Sequence, residues 1–263
     1  MRQVDIKEYV AAEKEKLKNI KAADKIKLGI IDATRDQDDA NAIYIARKLD
    51  DFKEVGWKAS VYKVRRDETS CHDAIIRAMT HHCTAVIVQL PVRDGVKFDS
   101  MMIPRGLDCD GLRPDSLVNP ATPQGIIDYL EACEFPFSGK TAVVLGRSDI
   151  VGKPMARMLL EKDMTVSICH SKSDPSIVSG YLQEADLVVS ATGQPHLIVR
   201  NQCFGAVVID VGITRQDGKL IGDFEEVPRF CSDTVWSTPV PGGVGLLTRL
   251  ALLKNCAALV EGG

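Results

Sequence analysis

What this chain of 263 residues lacks narrows its possibilities first. No apolar run approaches the roughly 20 residues needed to span a bilayer. The opening MRQVDIKEYV has no apolar core of the kind a secretion signal carries. Lysine and arginine do not gather into basic clusters and the net charge is -3, so neither nucleic acid nor an anionic membrane is expected as a partner. Of the eight cysteines (Cys71, Cys83, Cys109, Cys133, Cys169, Cys203, Cys231 and Cys256) none forms a C-x-x-C pair, and several stand in apolar, strand-like contexts. Reduced, buried thiols are expected, with no disulfide and no metal site. Internal repeats and low-complexity tracts are also missing. These absences leave an ordinary globular composition, 45% apolar and 26% charged, and a cytoplasmic location is expected.

The most informative segment is KTAVVLGRSDIVGKPMARMLL, residues 140–160. The apolar run from Ala142 to Leu145 stops at Gly146, a polar loop follows, and Gly152-Lys153-Pro154 opens a stretch in which Met155, Met158, Leu159 and Leu160 recur at helical spacing. This order predicts a buried strand, a glycine-bounded turn and a helix, the sequence form of a phosphate cradle at a helix N-terminus with unpaired backbone N–H groups. The dinucleotide fingerprint G-x-G-x-x-G is incomplete, because Ser148 stands where its second glycine belongs. The next strand-like run, 164–170, also ends without the acid that would bind a ribose 2′-OH and reads His170-Ser171-Lys172-Ser173 instead. A missing carboxylate together with Arg147, Ser171 and Lys172 suits a 2′-phosphate, so NADP is favoured over NAD. The alternative for Ser171 and Lys172 is a solvated loop after a strand.

Elsewhere the chain alternates strand-like and helix-like segments. A charged amphipathic helix is expected over 5–23, strands at 28–33, 59–64 and 85–91, and helices near 40–55 and 69–81. The irregular stretch 93–122, with Pro104, Gly106, Gly111, Pro114 and Pro120, is the candidate domain boundary. After it a helix is expected to be capped at Thr122, with Pro123 at the first helical position. Strand-like runs follow at 140–145, 164–169, 185–193 and 205–212, and an apolar helix closes the chain. The predicted fold class is α/β in two domains, the second a Rossmann-like parallel sheet with helices on both faces. One domain would comprise 1–113 with 240–263 and the other 114–239.

Tyr44 and Lys48 stand four residues apart within an expected helix, so both side chains share one face and can converge on one ligand. Alone, such a pair is commonly a solvated surface feature. The pair follows a strand-like run by a polar loop, where an α/β protein places its site. Short-chain dehydrogenases also use Tyr-x-x-x-Lys, but there the pair follows the nucleotide loop, whereas here it precedes Gly146.

Three segments, VQLPV at 88–92, GRSDIVGKPMARMLL at 146–160 and TPVPGGVGLLT at 238–248, resemble the signatures of the bifunctional methylenetetrahydrofolate dehydrogenase/methenyltetrahydrofolate cyclohydrolase family. DCDGL (108–112), PATPQG (120–125), CHSKS (169–173) and GAVVIDVGI (205–213) extend the match in the family's order. The resemblance implies an enzyme with a folate-binding first domain, an NADP-binding second domain and folate in the cleft between them, assembled as a homodimer through the nucleotide domain. It implies Lys48 as the acid/base centre, Gln89 as its hydrogen-bonding partner, Tyr44 as a platform for the pterin ring and Asp110 as acceptor for the pterin N–H groups. Pro241 and Gly245 would also contact folate. Gly146, Arg147, Ser148, Val151, Gly152, His170, Ser171, Thr192, Gly193 and Ile213 would bind the nucleotide. Without that context Gln89 reads as a hydrated strand end, Asp110 as a turn residue, and His170 as structural rather than catalytic.

The chain departs from the family pattern where Val92-Arg93 follows Pro91, where Leu246 replaces a proline, and where the first strand runs into Asp32-Ala33-Thr34-Arg35. The segments around Asp110 are also shorter than the family's. Three alternatives therefore stand beside the bifunctional enzyme: a dehydrogenase without the hydrolytic activity, a shikimate-type NADP oxidoreductase, and a non-catalytic folate or nucleotide binder.

Overall fold

The computed structural model describes residues 2–35, 39–199, 202–203, 205–216, 218–225 and 236–262. Its backbone contacts divide the chain into two compact units, Ala11–Ala121 with Arg249–Gly263, and Met1–Val10 with Thr122–Thr248. The first ten residues thus join the second unit rather than the first. The crossings fall at 121/122 and 248/249, inside helices, rather than at the expected 113/114 and 239/240.

In chain order the elements are α1 (Ile6–Lys18), β1 (Lys27–Asp32), α2 (Asp39–Glu54), β2 (Lys58–Lys63), α3 (His72–Thr80), β3 (Ala85–Gln89), α4 (Ala121–Ala132), β4 (Thr141–Leu145), α5 (Gly152–Leu160), β5 (Thr165–Cys169), α6 (Pro175–Glu184), β6 (Leu187–Ser190), β7 (Ile198–Val199), β8 (Val207–Asp210), β9 (Thr214–Gln216), β10 (Lys219–Ile221), β11 (Phe224–Glu225), β12 (Trp236–Ser237) and α7 (Val244–Glu261). Strands β7 and β9 to β12 are two or three residues long, too short for an apolar pattern to announce them.

In the unit built around residues 11–121, three parallel strands lie in the order β2-β1-β3. The central β1 and all of β3 are buried, which is why both read as unbroken apolar runs. Ile31, Val86 and Val88 pack with Ala74, Ile75 and Ala78 of α3 in one core. Strands β2 and β3 flank β1, so the connections diverge beyond its carboxyl end, where α/β sheets place ligands. Asp32 and Gln89 are register partners at that end.

The second unit holds five parallel strands in the order β12-β8-β6-β4-β5. Period-two alternation sorts β4 cleanly. Ala142 and Val144 face a core with Ile126 and Leu130 of α4 and Met155 and Leu159 of α5, while Val143 and Leu145 face a core with Leu182 of α6 and Ile198. Helices cover both faces of this sheet, the Rossmann-like arrangement predicted from the sequence. Strands β5 and β6 flank β4, which places a second switch point at Gly146.

One local expectation needs correction. Helix α4 begins at Ala121, so Thr122 lies inside it and does not cap it. The Ala121 N–H donates to the Asp110 carbonyl at 3.1 Å, and the Thr122 hydroxyl meets that of Thr248, 3.0 Å away.

Among the described residues no helix is long and apolar enough to cross a membrane, and no group of three or more His, Cys, Asp or Glu side chains is placed to hold a metal ion. The seven described cysteines are buried free thiols; Cys231 lies outside the described residues.

Two helical glycines make a test of the packing. A Cβ on Gly125 would lie 2.5 Å from the Leu247 carbonyl oxygen, whereas one on Gly180 would meet nothing within 4 Å. Alanine is the better helix former by roughly 0.5–1 kcal/mol. Gly180→Ala is expected to raise the unfolding free energy by that increment, and the thermal midpoint with it, and Gly125→Ala to lower both, as calorimetry of the two variants would show.

Candidate active site and nucleotide pocket

Lys48 and Tyr44 both project from α2, one turn apart. The Lys48 Nζ donates to Gln89 Oε1 at 2.9 Å. Gln89, 8% exposed at the end of β3, spends its amide N–H groups on Asn41 Oδ1 and the Leu90 carbonyl, both at 3.1 Å. With both donors engaged, its carbonyl oxygen is the atom left to face the lysine, and the amide orientation follows from the network. Burial lowers the Lys48 pKa below the ordinary lysine value. Asp110 and Cys109 oppose that shift, and the Arg249 guanidinium adds to it. Burial likewise raises the Asp110 carboxyl; Lys48 works against this and Asp108 reinforces it. Asp108 is fully buried and accepts from the Leu112 and Arg113 N–H groups at 3.2 and 2.9 Å, which folds the chain tightly behind Asp110.

The structure therefore brings Lys48, Gln89 and Asp110 into one electrostatic neighbourhood, with Tyr44 half-buried on the same helix face. Pro241 and Gly245 belong to the other unit. Three participants escaped the sequence reading. Asn41 fixes Gln89, and Arg249 of α7 faces Asp51 of α2, its Nε 3.0 Å from Asp51 Oδ2 without a linear hydrogen bond. Asp51 also accepts from Lys14 at 2.6 Å. An Asn, an Asp and an Arg on helices carry no signal of this kind until their faces are known. The departure at Arg93 is structural: its guanidinium donates to the carbonyls of Val64, Arg65 and Glu68 at 3.0, 2.5 and 3.4 Å.

In the second unit a cavity of about 560 Å³ opens at the carboxyl ends of β4, β5 and β6. Gly146, Arg147, Ser148, His170, Ser171 and Thr192 line it, as do Ala191, Gln194, Leu197 and Ile198. Val151, Gly152, Gly193 and Ile213 do not line it, although the Gly193 carbonyl accepts from the Thr214 hydroxyl at 2.8 Å nearby. Gly146 has φ +110°, and a Cβ there would lie 2.6 Å from the Ala191 carbonyl oxygen. Gly152 would bring its own Cβ within 2.3 Å of the Gly146 carbonyl oxygen. The close turn leaves no room for a side chain at either position.

The helix N-terminus is a correction. Ser148 Oγ accepts from the Val151 and Gly152 N–H groups at 3.2 Å each, the Ser148 carbonyl accepts from Lys153 at 3.0 Å, and Pro154 has no N–H. The Met155 N–H donates to the Val151 carbonyl at 2.8 Å. The first donors of α5 are thus occupied, which leaves the side chains at the cavity as candidates to meet an anion. Arg147 is exposed at the cavity and has no partner among the described residues, and the Ser148 hydroxyl keeps its own hydrogen to donate. Lys153 is paired with Asp149 at 2.6 Å, and Lys172 is not among the lining residues. His170 Nδ1 accepts from the Lys172 N–H at 3.2 Å, which puts the proton of a neutral ring on Nε2.

Residues 120–262 match the model of the tetrahydrofolate dehydrogenase/cyclohydrolase NAD(P)-binding domain. The bifunctional protein FolD of Campylobacter jejuni strain RM1221 is 38% identical over 237 residues, covering 83% of this chain and 82% of its own. That of Clostridium novyi is 34% identical over 95% of this chain and 94% of its own. Among solved structures, the methylenetetrahydrofolate dehydrogenase/cyclohydrolase FolD of Campylobacter jejuni superposes with a TM-score of 0.86 at 32% identity, covering 98% of each chain. The Trypanosoma brucei enzyme, described as complexed with NADP cofactor and inhibitor, gives 0.84 at 26% identity, covering 98% of this chain and 97% of its own. With more than half of its length matched by the family model and full-length relatives above 30% identity, this chain belongs to the tetrahydrofolate dehydrogenase/cyclohydrolase family.

Proposed function

We propose that this protein oxidises 5,10-methylenetetrahydrofolate to 5,10-methenyltetrahydrofolate with NADP and hydrolyses the product to 10-formyltetrahydrofolate. The observation that carries the reading is Lys48: a lysine withdrawn from water, held by a neutral amide and lowered in pKa, on a family scaffold with a nucleotide-sized cavity. Family membership sets aside the shikimate-type alternative. The same proposal includes tetrahydrofolate derivatives as substrates, a homodimer joined through the nucleotide unit and a cytoplasmic location.

The nucleotide cavity fits NADP on its donor set. Among the described residues Arg147 is an unpaired cation, Ser148 and Ser171 supply hydroxyls, and no carboxylate lines the wall to repel a 2′-phosphate. Bound there, the cofactor supplies a two-electron acceptor for the hydride of the one-carbon bridge. The chain's own contribution to oxidation is alignment, with Asp110 accepting from the pterin and Tyr44 offering its ring. Hydrolysis asks more of Lys48. Water attacks the cationic methenyl carbon and gives up both its protons in becoming the formyl oxygen, while a ring nitrogen gains one as the C–N bond breaks, so one proton is released. An amine whose pKa burial has lowered gives up and regains a proton more readily than an ordinary lysine and can serve both transfers. Gln89 keeps that amine in place without fixing its charge.

A spectrophotometric assay with methylenetetrahydrofolate, run with NADP and NAD in parallel, tests the whole reading, and protein that binds both ligands without turnover would make it a binder. Lys48→Met is expected to lose methenyl hydrolysis by more than about a hundredfold, with a smaller loss of oxidation. Gln89→Ala should show the same pattern more weakly. Undiminished hydrolysis in Lys48→Met would remove the lysine from the mechanism.

The charges around Lys48 give the pH profile a sign. Hydrolysis needs the neutral amine, so its rate should rise with pH along a limb below the ordinary lysine range. Arg249→Gln removes a cation that lowers the Lys48 pKa and should move that limb to higher pH; Asp110→Asn removes an anion that raises it and should move the limb to lower pH. Measuring kcat against pH for both variants checks the opposed shifts.

Cofactor choice rests on Arg147. A charge-assisted contact to phosphate contributes roughly 1.5–3 kcal/mol, so Arg147→Ala should weaken NADP on the order of tenfold or more and NAD far less. Equal use of the two cofactors by the unmodified protein would refute this preference.

A further inference from the structure

The wall of the nucleotide cavity formed by Ala191 and Thr192 rests on a carboxylate that touches neither cavity nor solvent. Asp223, in the turn between β10 and β11, is 1% exposed. Its Oδ2 accepts from the Ser190 hydroxyl at 2.7 Å and from both the backbone N–H and the hydroxyl of Thr192 at 2.8 Å. Its backbone reaches a second stretch of the wall, where its carbonyl accepts from the Ile198 N–H at 3.0 Å. The turn that carries it is fixed in turn by Asp210 at the end of β8. Asp210 is 3% exposed, and its two oxygens accept from the Asp223 and Phe224 N–H groups at 3.0 and 2.9 Å.

Two glycines make room for this arrangement. A Cβ on Gly212 would lie 2.0 Å from Asp223 Oδ1, and one on Gly222 would lie 2.0 Å from Asp210 Oδ2. Two buried carboxylates side by side are an expensive way to stabilise a fold. Burial, reinforced by the charge of Asp223 and opposed by the backbone N–H groups it accepts from, raises the Asp210 carboxyl to about 6, and Asp223 Oδ1 has no hydrogen-bond partner among the described residues. What the arrangement secures is position. Thr192 is tied at two atoms to one oxygen, and Gly146, whose absent Cβ would press on the Ala191 carbonyl, sits against the same segment.

We infer that Asp223 is a positioning residue for the nicotinamide nucleotide, setting the Ala191–Thr192 and Leu197–Ile198 walls from beneath without contacting the ligand. The inference rests on the reading of the cavity as the NADP site. Hydrolysis of the methenyl substrate consumes only water, so it reports on folding and on the Lys48 site independently of the nucleotide.

The test compares Asp223→Asn and Ser190→Ala with the unmodified protein in both reactions, with NADP as the titrated probe. Asparagine keeps the shape and one acceptor oxygen, but that oxygen carries no charge and holds the three donors more weakly than the carboxylate oxygen does. Asp223→Asn is expected to raise the KM for NADP roughly tenfold, the scale of a lost charge-assisted contact, with kcat changed less than about threefold and methenyl hydrolysis unchanged. Ser190→Ala, which removes one donor from the same oxygen, should move the KM in the same direction by less. An unaltered KM in a folded Asp223→Asn protein overturns the inference, and so does an equal loss of both activities. Should Asp223→Asn fail to fold, an unaltered KM in Ser190→Ala overturns it and a raised one supports it. Unmodified protein that hydrolyses the methenyl substrate but binds no NADP overturns the cavity reading and the inference together.

Discussion

A lysine withdrawn from water either keeps its proton by pairing with a carboxylate or gives it up more easily beside neutral groups. This unit contains one of each. Lys14, 7% exposed, donates to Asp51 and Glu54 at 2.6 Å each; burial pulls its pKa down, but the two carboxylates more than offset that and leave it raised. Lys48 has an amide oxygen as its direct partner, and its pKa falls. The difference separates a lysine that holds helices together from one able to exchange protons. Asp51 takes part in both outcomes, because it neutralises Lys14 and faces Arg249, the cation whose field reaches Lys48.

Parallel sheets impose where such groups can stand. A strand buried on both faces has no side chain to spare for solvent, so function gathers where the strands end and their connections diverge. Gln89 is the last residue of β3 and the only polar one in that strand. In the other sheet Gly146, His170 and Ala191 each follow the last residue of β4, β5 and β6 and line the cavity together. Each site is thus held by rigid strand ends, and loops supply the variable chemistry.

This logic explains how much was legible in the sequence. The apolar runs at 85–88 and 142–145 announce buried parallel strands, and the order of strands and helices follows. The four-residue spacing of Tyr44 and Lys48 made it legible that they share a helix face, but only the family resemblance singled out Lys48. The state of the α5 N-terminus was not. The pattern Gly-x-x-x-x-x-Gly predicts a turn before a helix, but whether the N–H groups stay free depends on the rotamer of Ser148, which no spacing encodes. Thr122 failed for a similar reason, since a threonine before a helical pattern caps or packs according to what lies beside it, here Thr248. Asp223 gave no signal at all. An aspartate beside a glycine reads as a turn residue, and its true partners, Ser190 and Thr192, are about thirty residues away in sequence.

The nucleotide unit divides its charges by task. Those that must not move, Asp210 and Asp223, are buried and tied to backbone N–H groups and hydroxyls, where displacement would leave several donors unsatisfied at once. The one proposed to meet a phosphate, Arg147, is exposed and unpaired among the described residues, so its long side chain can adapt. A mobile cation above a loose floor would have to order both itself and the wall on binding, and each ordering step costs affinity. A wall fixed in advance leaves only the arginine to be ordered. The buried carboxylates can thus favour nucleotide binding without touching the nucleotide, because the entropy they remove is removed when the chain folds and not when the ligand arrives.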